Sequence, residues 1–259
     1  MQCVTRLGVL VLMVATWAAC GDDDGGGDPP GPFFEGPYGH VVPADVGDLI
    51  GVGVDGPVPT AAYDGPMDID VAGTVIEDVV VDGCLRITAP DVTLRNVIVN
   101  CDGLYPIRAD DTQNLTVEYS QINCGSHSKI FFINDVTDVT VQYSETTGCE
   151  DLFFLGGDVD GMLVAYNYFH TLNLTPDSHS DGFQIGEASP TTGRMVVRGN
   201  YFNANSPGGK TDVVFATNEA ATEIVLEDNF FTIWGLRTLR CHNDARCIVR
   251  HNVYEQAFE

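Results

Sequence analysis

Four charged residues each stand immediately before a short apolar run. Lys129 precedes Ile130-Phe131-Phe132-Ile133, Asp151 precedes Leu152-Phe153-Phe154-Leu155, Asp181 precedes Gly182-Phe183-Gln184-Ile185, and Asp212 precedes Val213-Val214-Phe215-Ala216. Two residues before these stand His127, Cys149, His179 and Lys210. If the runs are stacked strands, residues i and i+2 share a face. Lys129, Asp151, Asp181 and Asp212 then form one column, with His127, His179 and Lys210 beside it. Both lysines of the chain and two of its six histidines fall in this patch.

Oxygen-rich columns of this kind suit a hard cation such as Ca2+, with Asp151, Asp181 and Asp212 as its ligands. A base (His179, Lys210 or Lys129) beside a cation-neutralised uronate carboxylate is the equipment of a polysaccharide lyase. Paired aspartates permit glycoside hydrolysis instead. Asp151 and Asp212, two strand spacings or ~9.6 Å apart, roughly fit the ~6.5–9.5 Å of an inverting pair. A third reading needs no chemistry: the polar residues are the solvated face of a displayed glycan-binding or surface-structural protein. The catalytic readings expect these side chains to share one solvent-accessible groove, walled by the loops at 171–178 and 203–209. Strict alternation from Asp181 puts Gln184 on the opposite, interior face. His170, His242 and His251 read as structural or solvated, and Arg237 and Arg240 fall in the next unit, at one end of the groove.

The elements that must position these residues show in a recurring ten-residue phrase. Its copies start at Val75, Val92, Leu115, Val139, Met162, Met195 and Ile224, with a degenerate eighth at Cys247, at spacings of 17, 23, 24, 23, 33, 29 and 23 residues. The first copy is weak, with Glu77 at its third position. Periods of this size mean stacked supersecondary units, each too small to bury a core alone. The phrases are rich in β-branched residues and alternate, with Gly, Asn and Asp between them. The expected fold is all-β: a single-stranded right-handed parallel β-helix of about seven to eight coils with an irregular N-terminal cap. The longest coils, 33 and 29 residues, are those that hold His179 with Asp181 and Lys210 with Asp212. Long loops beside a flat strand face build clefts.

Two ladders support this register. Position 6 reads Val97, Ser120, Ser144, Asn167, Asn200, Asn229 and Asn252, and position 8 ends in Phe169, Phe202, Phe231 and Tyr254. Stacked amides bond along the axis, and stacked rings fill an interior. Cys84, Cys101 and Cys124 fall nine residues after their phrase begins and Cys149 ten, so four successive coils place a cysteine at one corner. Coil spacing lies within disulfide reach. The pairing Cys84–Cys101 with Cys124–Cys149 uses all four, and Cys241 with Cys247 makes a third bridge. Disulfides imply an oxidising compartment.

The N-terminus agrees. Residues 1–19 read as a short signal segment that resembles a bacterial lipoprotein signal, with Cys20 as the lipidated residue. Residues 20–32 form an acidic Gly/Pro/Asp tether. Residues 33–73 form the cap segment and 74–259 the β-helix. A net charge of −25 with only two lysines makes nucleic acid an implausible partner. The expected partners are polysaccharide and, through the lipid alone, a membrane. The expected state is a monomer exported to the cell envelope or beyond.

Gly65-Pro66 through Val99, and Asp177-Ser178-His179-Ser180-Asp181-Gly182-Phe183-Gln184, resemble a widespread group of secreted bacterial β-helix proteins related to the pectate-lyase superfamily. The resemblance covers most of residues 60–256. It implies the pectin-lyase-like fold and a polysaccharide ligand.

Overall fold

The computed structural model describes residues 58–125, 129–170, 181–185, 192–203, 212–216, 221–231, 237–240 and 246–254. Among them there is no helix, and every strand pairing is parallel. The described strands make two large sheets, one of nine strands and one of fourteen. The chain shuttles between them. Ile98–Cys101 lies in the smaller sheet, Ile107–Glu118 in the larger, Gln121–Cys124 in the smaller and Lys129–Gln142 in the larger again. Each return pairs with the strand one repeat earlier, an arrangement compatible with a parallel β-helix.

The repeat register predicted from the phrases holds from Val92 onward. Leu94, Val117, Val141, Val164, Val197, Leu226 and Val249 pair level with one another at the third position of their phrases. The first copy is displaced by one residue. Ile76, not Glu77, pairs with Leu94, and Glu77 stands outside beside Arg95. Burial decides this: Ile76 sits in the core and a carboxylate there would be desolvated without a partner. Residues assigned to the cap already contribute two short strands, Ala61–Ala62 and Asp68–Ile69, paired with Val79–Asp82 and Leu85–Ile87.

The core is a set of columns. Phe131, Phe153 and Phe183 stack with centroids 4.6 Å apart at each step. Phe169, Phe202 and Phe231 stack at 5.0 and 4.8 Å as position 8 requires. At position 6, each backbone N–H donates to the side-chain oxygen of the next coil. The series runs from Val97 to Ser120 Oγ (3.3 Å), Ser120 to Ser144 Oγ (3.2 Å), and Ser144 to Asn167 Oδ1 (2.9 Å). It continues from Asn167 to Asn200, Asn200 to Asn229 and Asn229 to Asn252, each at 2.9 Å. The residues before this ladder, including Asn96, Tyr119, Tyr143, Tyr166 and Gly199, turn the corner with positive φ. Outside, Tyr119, Tyr143 and Tyr166 form a stacked file at 5.1 and 5.4 Å.

The cysteines bridge neighbouring coils as expected, Cys84 to Cys101 and Cys124 to Cys149, with Cα separations of 5.1 and 5.0 Å. Cys247 is disulfide-bonded as well; Cys241 lies outside the described residues. The two bridges point to an oxidising, extracytoplasmic environment.

Candidate functional site on the larger sheet

The column at the head of the strands is real. Lys129 pairs directly with Asp151, and the pairing of Phe153 with Phe183 puts Asp181 level with Asp151. Phe183 pairs with Val214, which carries the column on to Asp212, and Asp212 pairs with Arg237. One coil earlier the same level is held by Tyr105, since Ile107 pairs with Phe131. His127, His179, Lys210 and Cys20 lie outside the described residues, as do 171–178 and 204–209 of the expected loop walls. Asp212 is described by its backbone.

The chemistry of the column differs from an open row of carboxylates. Asp151 and Asp181 are buried, whereas the side chain of Lys129 is 23% exposed. Lys129 Nζ lies 2.8 Å from Asp151 Oδ2, donates to Gln184 Oε1 at 2.7 Å, and stands 4.5 Å from the centre of the Phe154 ring. The other oxygen of Asp151 accepts the backbone N–H of Asp181 at 2.8 Å. Asp151 is therefore committed through both oxygens, to an ammonium and to the next coil.

The burial has a local cause. Ile130 and Phe131 are both interior, as are Leu152 and Phe153, so alternation breaks at the start of each strand. Asp151, the residue before the second of these double steps, is buried rather than standing on the outer face. The same break places Gln184 outside, contrary to strict alternation from Asp181. Phe183 and Ile185 are interior, and Gln184 pairs with outward Phe154.

The outer row next to the column reads Arg86, Arg108, Phe132, Phe154 and Gln184 in successive strands. Phe132 and Phe154 stack at 5.5 Å, Tyr105 leans on Phe132 at 4.9 Å, and the Arg108 guanidinium covers the Phe132 ring at 4.9 Å. Arg86 and Arg108 share the buried carboxylate of Asp110, at 3.3 and 2.6 Å. The hydrogen bond to Asp110 raises the Arg108 pKa above its ordinary value. Arg198 and Arg250 flank buried Glu227 in the same way, so this motif is first a way of neutralising a buried acid.

These residues offer cations, amide oxygen and aromatic edges along a line, but no metal cradle. Among the described residues no three His, Cys, Asp or Glu side chains converge as metal ligands. With both oxygens of Asp151 engaged, the described part of the column does not fit Ca2+.

On the smaller sheet, His170 is not isolated. Its Nε2 lies 2.7 Å from Glu145 Oε1, and its ring stacks on Tyr168 at 4.1 Å. Burial pushes the Tyr168 hydroxyl above its ordinary pKa, partly offset by the hydrogen bond from Asn203. Sequence spacing concealed this cluster because Glu145 and His170 are two residues apart in register, one coil removed. His251 approaches Asp228 at 3.3 Å, and His242 lies outside the described residues. No protein-family model, curated protein or solved structure matches this chain.

Proposed function

We propose that this is an exported parallel β-helix protein of seven to eight coils that binds polysaccharide along the outer face of its larger sheet. The observation that carries this reading is the outer row joined at Lys129 to the largely buried column beside it. Tyr105 and Lys129 with buried Asp151 and Asp181 stand beside Arg86, Arg108, Phe132, Phe154 and Gln184, and Lys129 bonds to both rows. Groups repeated at the strand spacing of ~4.8 Å suit a linear polymer lying along the stack axis. Donors and acceptors already held in place lose little entropy on binding. Lipidation at Cys20 would display this face at the cell envelope, the tether of residues 20–32 holding it clear of the bilayer.

Binding without turnover is favoured over lyase action by the state of Lys129. An ammonium bonded to a buried carboxylate is not a free base, so elimination would rest on His179 or Lys210. The test is a panel of acidic and neutral polysaccharides, with and without Ca2+, read for retention in affinity electrophoresis, ultraviolet absorbance of unsaturated ends, and reducing ends. Retention with neither product is expected, weakened roughly tenfold (about 1.4 kcal/mol) by Gln184→Ala. Unsaturated products would establish the lyase, reducing ends alone the hydrolase. Absence of retention across the panel would remove polysaccharide from the account.

A further inference from the structure

The four corner cysteines form an unbroken file, not two separate pairs. Cys84 is bonded to Cys101 and Cys124 to Cys149, yet Cys101 and Cys124 are themselves direct partners in the smaller sheet. Parallel partners sit ~4.8 Å apart, within the Cα range of a disulfide. All three neighbouring pairs are thus bridgeable, and the oxidised protein uses the two outer ones. The surroundings of the sulfurs are unequal. The N–H of Gly103 donates to Cys101 Sγ at 3.3 Å, and a hydrogen bond of this kind stabilises a thiolate. Cys149 Sγ stands 3.6 Å from the Thr147 carbonyl oxygen, an acceptor for a released S–H. A Cβ on Gly103 would lie 2.6 Å from Cys84 Sγ, so only glycine leaves room for this donor. Cys84 and Cys124 are partly exposed, whereas Cys101 and Cys149 are buried.

We propose that the cysteine file is a thiol–disulfide exchange relay that carries a reduction from Cys84 to Cys149, its co-reactant a dithiol. One thiolate of the dithiol attacks Sγ of the partly exposed Cys84, and the Cys84–Cys101 bond breaks to release the Cys101 thiolate. The second thiol of the reagent resolves the mixed disulfide, freeing Cys84 and leaving the reagent as its own disulfide. The Cys101 thiolate attacks Sγ of Cys124, forming Cys101–Cys124 and expelling the Cys149 thiolate. The two protons of the dithiol end on Cys84 and Cys149, and the two electrons it gave up are those of the one protein disulfide lost. Cys149 lies two residues before Asp151, so its release unpins the turn that delivers the partner of Lys129. The relay does not depend on what the outer face binds.

The experiment treats the whole chain with limiting dithiothreitol, quenches with N-ethylmaleimide and maps the bridges by peptide mass spectrometry. The expected two-electron product carries alkyl groups on Cys84 and Cys149 and a Cys101–Cys124 bridge. Alkylation of Cys84 with Cys101 while Cys124–Cys149 persists would overturn the relay, as would reduction of both bridges together. The variant Cys84→Ser poses the second half of the question without reductant. Its unpaired Cys101 should exchange with Cys124–Cys149, so that alkylation is divided between Cys101 and Cys149. Alkylation of Cys101 alone refutes the exchange step.

Discussion

Replacing Asn200 by alanine removes the middle rung of the position-6 ladder, and its cost can be worked out bond by bond. Asn200 Oδ1 accepts the backbone N–H of Asn167 at 2.9 Å and its Nδ2 at 3.0 Å; Asn200 Nδ2 donates to the Val164 carbonyl at 2.9 Å and to Asn229 Oδ1 at 3.0 Å. After truncation the Asn167 amide side chain keeps Val141 O, and Asn229 Oδ1 keeps the backbone N–H of Asn200. The Asn167 N–H loses its ladder acceptor in a fully buried position. An orphaned buried donor costs about 1–3 kcal/mol, and the three partly compensated bonds about 0.5 kcal/mol each, giving roughly 2.5–4.5 kcal/mol. Asn252→Ala breaks the equivalent bonds to Asn229 where the rung is only part-buried, so water substitutes and about 1–2 kcal/mol is expected. Urea unfolding of both variants, with amide exchange at Asn167, measures the difference. The reasoning fails if Asn200→Ala costs no more than Asn252→Ala, or if the Asn167 amide stays as protected as in the parent.

Lys129→Met leaves Asp151 buried with one hydrogen bond. Breaking a buried pair costs about 3–5 kcal/mol, reduced to about 2–4 here because Lys129 is 23% exposed. Adding Asp151→Asn should recover more than half of this in thermal unfolding, and no recovery would show that the ion pair is not the cause. Burial pushes the Glu227 carboxyl up, but hydrogen bonds and charges from Arg198 and Arg250 outweigh it and hold the pKa below 4.5. A depressed acid stabilises the fold above its unfolded pKa, and that contribution is lost as pH falls through the folded value. Glu227→Gln should therefore flatten the stability curve below about pH 4.5, a profile read by urea midpoints between pH 3 and 7. Gly199→Ala puts a side chain at φ +63° with its Cβ 2.6 Å from the Tyr166 ring. A loss of about 1–2 kcal/mol, with altered tyrosine fluorescence from the stacked file, is the expected result.

The sequence made the repeat legible because a column is a long-range contact written at fixed spacing. Asn167, Asn200, Asn229 and Asn252, the Phe169–Phe202–Phe231 stack and the cysteine corner all follow from counting. So does the level of Lys129, Asp151, Asp181 and Asp212. Counting fails where the backbone departs from period two. The double interior step at Ile130-Phe131 and Leu152-Phe153 turned an expected open row of acids into a buried one, and it sent Gln184 outward. It fails again at Val75, where one residue fewer than assumed separates the apolar position from the phrase start. The Glu145–His170 pair escaped because the two stand at different positions of the phrase, two residues apart in register; only folding brings one coil's acid beside the next coil's imidazole.

The ladder is indifferent to how much chain lies between its rungs. Ser144 to Asn167 and Asn229 to Asn252 are 23 residues apart, Asn200 to Asn229 is 29 and Asn167 to Asn200 is 33, yet the bond is 2.9 Å each time. Axial rise and contour length are decoupled, and most of the surplus enters after His170 and after Asn203 without disturbing the rung above or below. Such a scaffold can acquire new surface by splicing peptide into these two junctions, leaving the load on the same backbone bonds. Grafted segments of quite different length, placed there, would inherit a fixed anchorage and change only what the molecule presents.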